Sequence, residues 1–297
     1  MKDLFRLIIL LISITLIDFR LSKSEIFTNS QNYLMGFQKF SNKARETKGK
    51  NRIILVGGSS LGWGISAKNL SENLKITTLN SGIHAGVGYK NYFRTIENYI
   101  DKNKDILVIS PEYEMDINNR YFFKRSSQFC EITLFVINNY PIDCIGYSMT
   151  KIFKLINLIR KIDPDYQRDG FNEYGDYVLH YDKNKIINKF RDVCIDINLN
   201  ALEEKYVTYW NEFKKKGYKV VYIPNLIPES ACSKPEKLEK FHNILFKNFG
   251  VKGFENAKLV TKNNKLFYGS RYHLSKEGVE IKTNLFEDHL KSYLKDN

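Results

Sequence analysis

Arg52-Ile53-Ile54-Leu55-Val56 runs directly into Gly57-Gly58-Ser59-Ser60-Leu61-Gly62-Trp63-Gly64. An apolar run of this length reads as a strand buried on both faces, and the glycines after it mark a tight turn. A serine hydroxyl at such a turn stands at the carboxyl edge of a parallel sheet, where open α/β folds place their ligands. Further short apolar runs repeat the pattern at Ile76–Leu79, Asp105–Ser110, Tyr218–Pro224 and Lys258–Thr261. Between and after them lie segments with helical spacing: Tyr89–Lys102, Leu202–Lys216, Pro235–Phe249 and Ser275–Leu294. In the second of these, Leu202, Tyr206, Tyr209 and Phe213 share one face. Strands alternating with amphipathic helices predict a three-layer α/β/α domain around a parallel sheet of about five strands.

The interval from Asp116 to Leu199 breaks this rhythm. It predicts an inserted cap over about residues 115–200, with an apolar helix near Leu155–Ile162 and a turn-rich aromatic stretch from Asp163 to Tyr181. The predicted domain therefore covers residues 51–297, after a linker at 23–50 that includes a juxtamembrane helix.

The first 22 residues have a different character. A short basic start is followed by an unbroken run of apolar and hydroxyl side chains from Leu7 to Ile17. Extended from Leu4 to Leu21, with Arg6, Asp18 and Arg20 reaching the two surfaces, the segment approaches the length that crosses a hydrocarbon core. No small-x-small site follows it, so an uncleaved anchor is the first reading, ahead of a cleaved signal or a buried helix. Basic residues are too evenly divided between the flanks to give an orientation.

Of 297 residues, 43% are hydrophobic and 27% charged, enough apolar material for a sizeable core. The net charge of +13 raises nucleic acid as a partner, but the lysines are scattered and no nucleic-acid motif accompanies them. A basic, tyrosine-rich surface suits anionic polysaccharide or membrane headgroups as well. The four cysteines, Cys130, Cys144, Cys194 and Cys232, have neither CxxC nor metal-type spacing, so no metal or cofactor is expected. In an exported domain, a Cys130–Cys144 bridge stands beside the plainer reading of four ordinary thiols.

A histidine from the far end of the chain supplies the base that a serine needs to become a nucleophile. His273, in Tyr272-His273-Leu274-Ser275, precedes a predicted helix capped by Ser275. Between the two motifs, Asn80-Ser81-Gly82-Ile83-His84-Ala85-Gly86 follows the second strand. Its backbone N–H groups are candidate donors to an oxyanion, with Gly86 first and Ala85 and Gly82 next. His84 reads as a polar loop residue rather than a base. The third strand ends in Ser110-Pro111-Glu112-Tyr113-Glu114, where Glu112 and Tyr113 could line the same cleft, with orienting substrate, bonding a sugar hydroxyl and capping a loop as equal readings of Glu112. In the insertion, the carboxylates and aromatics of Phe171-Asn172-Glu173-Tyr174-Gly175-Asp176-Tyr177 suit stacking on sugar rings and bonding to their hydroxyls, through Asn172 and Asp176. A packed surface loop is the alternative.

Gly58-Ser59-Ser60-Leu61 with Gly64, the Gly82–Gly88 turn and the Tyr272-His273 block resemble the SGNH (GDSL-type) hydrolase superfamily, whose fold is flavodoxin-like. The pattern GGSS…GxHAGxG…PEYE…YHL resembles membrane-anchored members of bacterial surface-polysaccharide gene clusters, over about residues 50 to 290. On this alignment Ser60 is the nucleophile. A shift by one makes it Ser59, at the loss of the match at Leu61 and Gly64. The resemblance implies an acyl-serine esterase or O-acyl (acetyl) transferase on carbohydrate, with Ser60 and Gly86 N–H groups as the oxyanion hole and an extracytoplasmic domain. Two departures stand out. The Gly-x-Asn-Asp block is absent, and the acid of Asp-x-x-His is replaced by Ser270. The chain thus reads as a Ser–His dyad, with Glu112 one candidate to orient the ring. A non-catalytic glycan- or partner-binding module is the alternative.

Overall fold

The computed structural model describes residues 36–84, 96–113, 167–183, 189–251 and 260–296, together with a few single positions. In chain order, helix α1 (Phe37–Glu46) leads into strand β1 (Arg52–Gly57), the helical turn α2 (Ser59–Gly62) and helix α3 (Ala67–Leu74). Strands β2 (Thr77–Asn80) and β3 (Asp105–Ser110) follow. The second half holds α4 (Thr208–Lys215), β4 (Lys219–Tyr222), β5 (Ile227–Pro228), α5 (Pro235–Phe249), β6 (Val260–Thr261) and the long α6 (Lys276–Asp296).

The fold is α/β. Four strands form a parallel sheet in the order β2-β1-β3-β4, with Arg52 opposite both Thr77 and Asp105. Every residue of β1 and β3 is buried, as expected for central strands covered on both faces. Successive side chains then serve different cores. Ile54, Val56, Leu107 and Ile109 pack with Phe37 and Phe40 of α1, Trp210 of α4 and Phe241 of α5. Ile53, Leu55, Ile106 and Val108 pack with Leu70 of α3 and with Phe286 and Leu290 of α6.

Two sequence expectations about the elements change. Phe37, Phe40, Ser41 and Ala44 are buried, so α1 belongs to the folded domain rather than to a linker ending at residue 50. The i, i+3, i+4, i+7 spacing of these four residues is an amphipathic stripe that the surrounding polar residues obscure. Val260–Thr261 pairs with Ile227–Pro228 in a separate two-stranded ladder instead of joining the main sheet as a fifth strand. Among the described residues a disulfide joins Cys194 to Cys232, 38 residues apart, so these two are not the ordinary thiols of the plainer reading. Cys130 and Cys144 lie outside the described residues, as do the N-terminal segment, the Leu155–Ile162 helix and most of Tyr89–Lys102. No helix among the described residues is long and apolar enough to cross a membrane.

Candidate active site

The turn after β1 is built around its serines. Gly58 is extended, Ser59–Gly62 form one helical turn, and the N–H groups of Leu61 and Trp63 close it onto the carbonyls of Gly58 and Ser59. Glycine is required at two contacts. A Cβ on Gly64 would lie 2.2 Å from the Ser60 carbonyl oxygen, and one on Gly82 would lie 2.6 Å from Leu61 Cβ and 2.7 Å from the Gly58 carbonyl. The loop after β2 therefore rests directly on the serine turn.

Ser60 is fully buried. Its N–H donates to Glu112 Oε1 at 2.8 Å, and Ser59 Oγ donates to the same oxygen at 3.0 Å. Its carbonyl accepts from Lys282 Nζ of α6 at 2.9 Å. The Ser60 hydroxyl has no hydrogen-bond partner among the described residues. Lys282 Nζ also donates to Asn225 Oδ1 at 2.7 Å, which accepts from Ser110 Oγ as well, while Asn225 Nδ2 donates to the Pro111 carbonyl. The ends of β1, β3 and β4 are thus tied together by one buried polar network. Burial raises the Glu112 carboxyl pKa, opposed by the Ser60 N–H, the Ser59 hydroxyl and the charges of Arg271 and Lys282. Burial pushes the Lys282 ammonium down to about 7, opposed by Glu112.

His273 reaches the same turn from the other end of the chain. Leu274 N–H donates to the Trp63 carbonyl at 3.2 Å, and the His273 ring stacks on the Trp63 ring with centroids 4.4 Å apart and planes at 14°. Tyr177 also stacks on Trp63, at 4.1 Å. Ser270, three residues before His273, accepts from the N–H groups of Tyr272 and His273 and so shapes the loop. Burial first, then His180, His84 and Lys185, push the His273 ring down to about 3. The imidazole is neutral at ordinary pH, and its protonated form is disfavoured. Ser60 and His273 thus share one sheet edge, without a hydrogen bond to the serine hydroxyl.

The other candidates fall in varied places. Gly86 and Ala85 lie outside the described residues, whereas the Gly82 N–H donates to Asn80 Oδ1. Tyr113 is buried, its N–H donating to the Tyr272 hydroxyl and its own hydroxyl donating to the Asn225 carbonyl. The insertion motif braces the serine turn from below. Asp176 accepts from the N–H groups of Ala67 and Lys68 at the start of α3 and from the amides of Asn80 and Asn172, and the Tyr177 N–H donates to the Gly62 carbonyl. Asn172 Oδ1 accepts from the N–H groups of Tyr174 and Asp176. These polar groups serve protein partners in the places proposed for sugar hydroxyls. Sequence reasoning missed Lys282, Asn225 and Trp63. No group of three or more metal-ligating side chains occurs among the described residues.

Comparison of the chain with family models, with curated proteins and with solved structures returns no match.

Proposed function

We propose that this chain is a three-layer, SGNH-type serine esterase or O-acyltransferase acting on carbohydrate, with Ser60 as nucleophile and His273 as base. The observation that carries this reading is the docking of the histidine segment on the serine turn, through Leu274 on the Trp63 carbonyl and His273 on the Trp63 ring. In the proposed reaction, Ser60 Oγ forms a bond to the ester carbonyl carbon as its proton passes to His273. Collapse of the tetrahedral adduct breaks the ester C–O bond, and the departing alkoxide takes that proton. Water or a sugar hydroxyl then attacks the acyl-serine, giving its proton to His273; the acyl C–Oγ bond breaks, Ser60 Oγ takes that proton back, and free acid or a new ester leaves. Gly86 is retained as the second oxyanion donor.

The Cys194–Cys232 bridge favours an oxidising compartment, and with the apolar N-terminal segment it supports an anchored, extracytoplasmic domain. Surface polysaccharide as the acceptor rests on the sequence resemblance and on the basic surface. Hydrolysis of p-nitrophenyl acetate by the full chain tests the reading. Ser60→Ala and His273→Ala are each expected to cut the rate about a thousandfold or more. Full activity in Ser60→Ala would eliminate this nucleophile.

A second reading, a non-catalytic binding module, is favoured by the Ser60 N–H being held by Glu112 and by the disfavoured imidazolium of His273. It predicts no turnover by the wild type together with retained glycan binding.

A further inference from the structure

The backbone N–H and carbonyl of Ser60 are held by two buried side chains of opposite charge. Lys282 Nζ holds its carbonyl at 2.9 Å, and Glu112 Oε1 holds its N–H at 2.8 Å. Both side chains are buried, each holds one backbone group of Ser60, and their charges act on one another. A transition-state oxyanion must sit about 2.7–3.1 Å from its N–H donors. A carboxylate oxygen already occupies that distance from Ser60 N, reinforced by the bond from Ser59 Oγ. A carboxylate and an oxyanion are both negative acceptors of the same donor, so they compete for one place.

We infer that Glu112 is an autoinhibitory plug: its carboxylate fills the oxyanion position beside Ser60, and an acyl group reacts only when that side chain withdraws. The inference rests on Ser60 being the nucleophile, as proposed above. The backbone around Glu112 is fixed by the β3 ladder and by Asn225 Nδ2 on the Pro111 carbonyl, so withdrawal is a side-chain movement. The positive charges of Arg271 and Lys282 act on the carboxylate and favour its charged form against the effect of burial. The serine turn keeps its other anchors when the carboxylate leaves, because Lys282 on Ser60 and Tyr177 on Gly62 do not pass through Glu112.

A purely structural role, capping the helical turn, makes the opposite prediction: loss of the carboxylate would loosen the turn and slow the serine. A fluorophosphonate probe distinguishes the two on the full-length chain. Ser60 Oγ forms the bond to phosphorus, the P–F bond breaks, fluoride departs and His273 receives the hydroxyl proton. Glu112→Ala is expected to label at least about tenfold faster than wild type, Glu112→Gln at an intermediate rate, and Ser60→Ala not at all. Equal or slower labelling of Glu112→Ala, with wild type labelled at Ser60, would overturn the plug and leave the nucleophile standing. No label on Ser60 in any variant would overturn both. A thermal melt accompanies each variant, and should Glu112→Ala fail to fold, the near-isosteric Glu112→Gln decides by the same criterion.

Discussion

Strands β1 and β3 begin and end in opposite ways. At their starts, Arg52 and Asp105 face each other in register and form a buried bidentate ion pair, with contacts of 2.8 and 2.6 Å. Arg52 also donates to the carbonyls of Ala44 and Tyr99, and Asp105 accepts from the Asp101 N–H. Charge meets charge there, and the surrounding donors and acceptors are matched. At their ends, Glu112 and Lys282 are also buried but take hold of separate backbone groups of Ser60, whose hydroxyl has no hydrogen-bond partner among the described residues. The first arrangement pins α1, β1 and β3 together. The second keeps polar groups in a strained electrostatic balance, with carboxyl, ammonium and imidazole pKa values all displaced toward their neutral forms. Perturbed groups gather at functional sites, and structural ion-pair networks perturb pKa values too.

The largest expected effect lies at the closed end. Asp105→Ala leaves the Arg52 guanidinium buried without its counter-charge and should cost about 3–5 kcal/mol in chemical denaturation. The labelling rate of the molecules that remain folded should not change. A comparable loss of Ser60 reactivity would mean that the two ends are not separable.

A smaller effect comes from pH. His273 is held down to about 3 and His242, also by burial, to about 4, while the unfolded chain titrates both near the ordinary value. The stability that their neutral burial contributes is complete above about pH 6.5 and is lost as pH falls toward these folded values, because only the unfolded state takes up the protons. Glu112 acts in the opposite sense: its raised pKa lets the folded state bind a proton first, above the carboxylate's ordinary range. Melting temperatures between pH 6.5 and 4 should therefore fall, and fall less in His273→Gln. An identical decline in the variant would show that the ring is not buried neutral.

The smallest expected effect is that of Ser60→Ala on stability. The hydroxyl it removes satisfies no partner among the described residues, so the change should stay within about 1 kcal/mol of wild type, either way. A loss of several kcal/mol would place Ser60 in the structural class with Asp105.

Much of this division could be read along the chain. Asp105–Ser110 and Pro235–Phe249 form the strand and helix that their apolar spacing predicts, residue for residue. The glycines around Ser60 and the helix start after His273 were legible because turn geometry and capping are local. Lys282 and Asn225 were not, since a lysine on an amphipathic helix and an asparagine after a strand acquire meaning only when the fold brings them to the Ser60 carbonyl. The insertion motif misled for a related reason. Asp176 looks like a sugar ligand in sequence, but its acceptors meet the N–H groups at the start of α3 and the side-chain amides of Asn80 and Asn172. Ser270, in the acid's place, serves backbone donors that no sequence pattern announces.

The open end of the sheet is tested most directly by trapping the acyl-enzyme. The full-length chain is mixed with p-nitrophenyl acetate, quenched in acid and digested for peptide mass analysis. An acetyl group on the peptide carrying Ser60, absent in His273→Ala, is the predicted result. Acetylation only at other residues, or acetylation of Ser60 that His273→Ala leaves undiminished, would contradict the pairing of these two side chains.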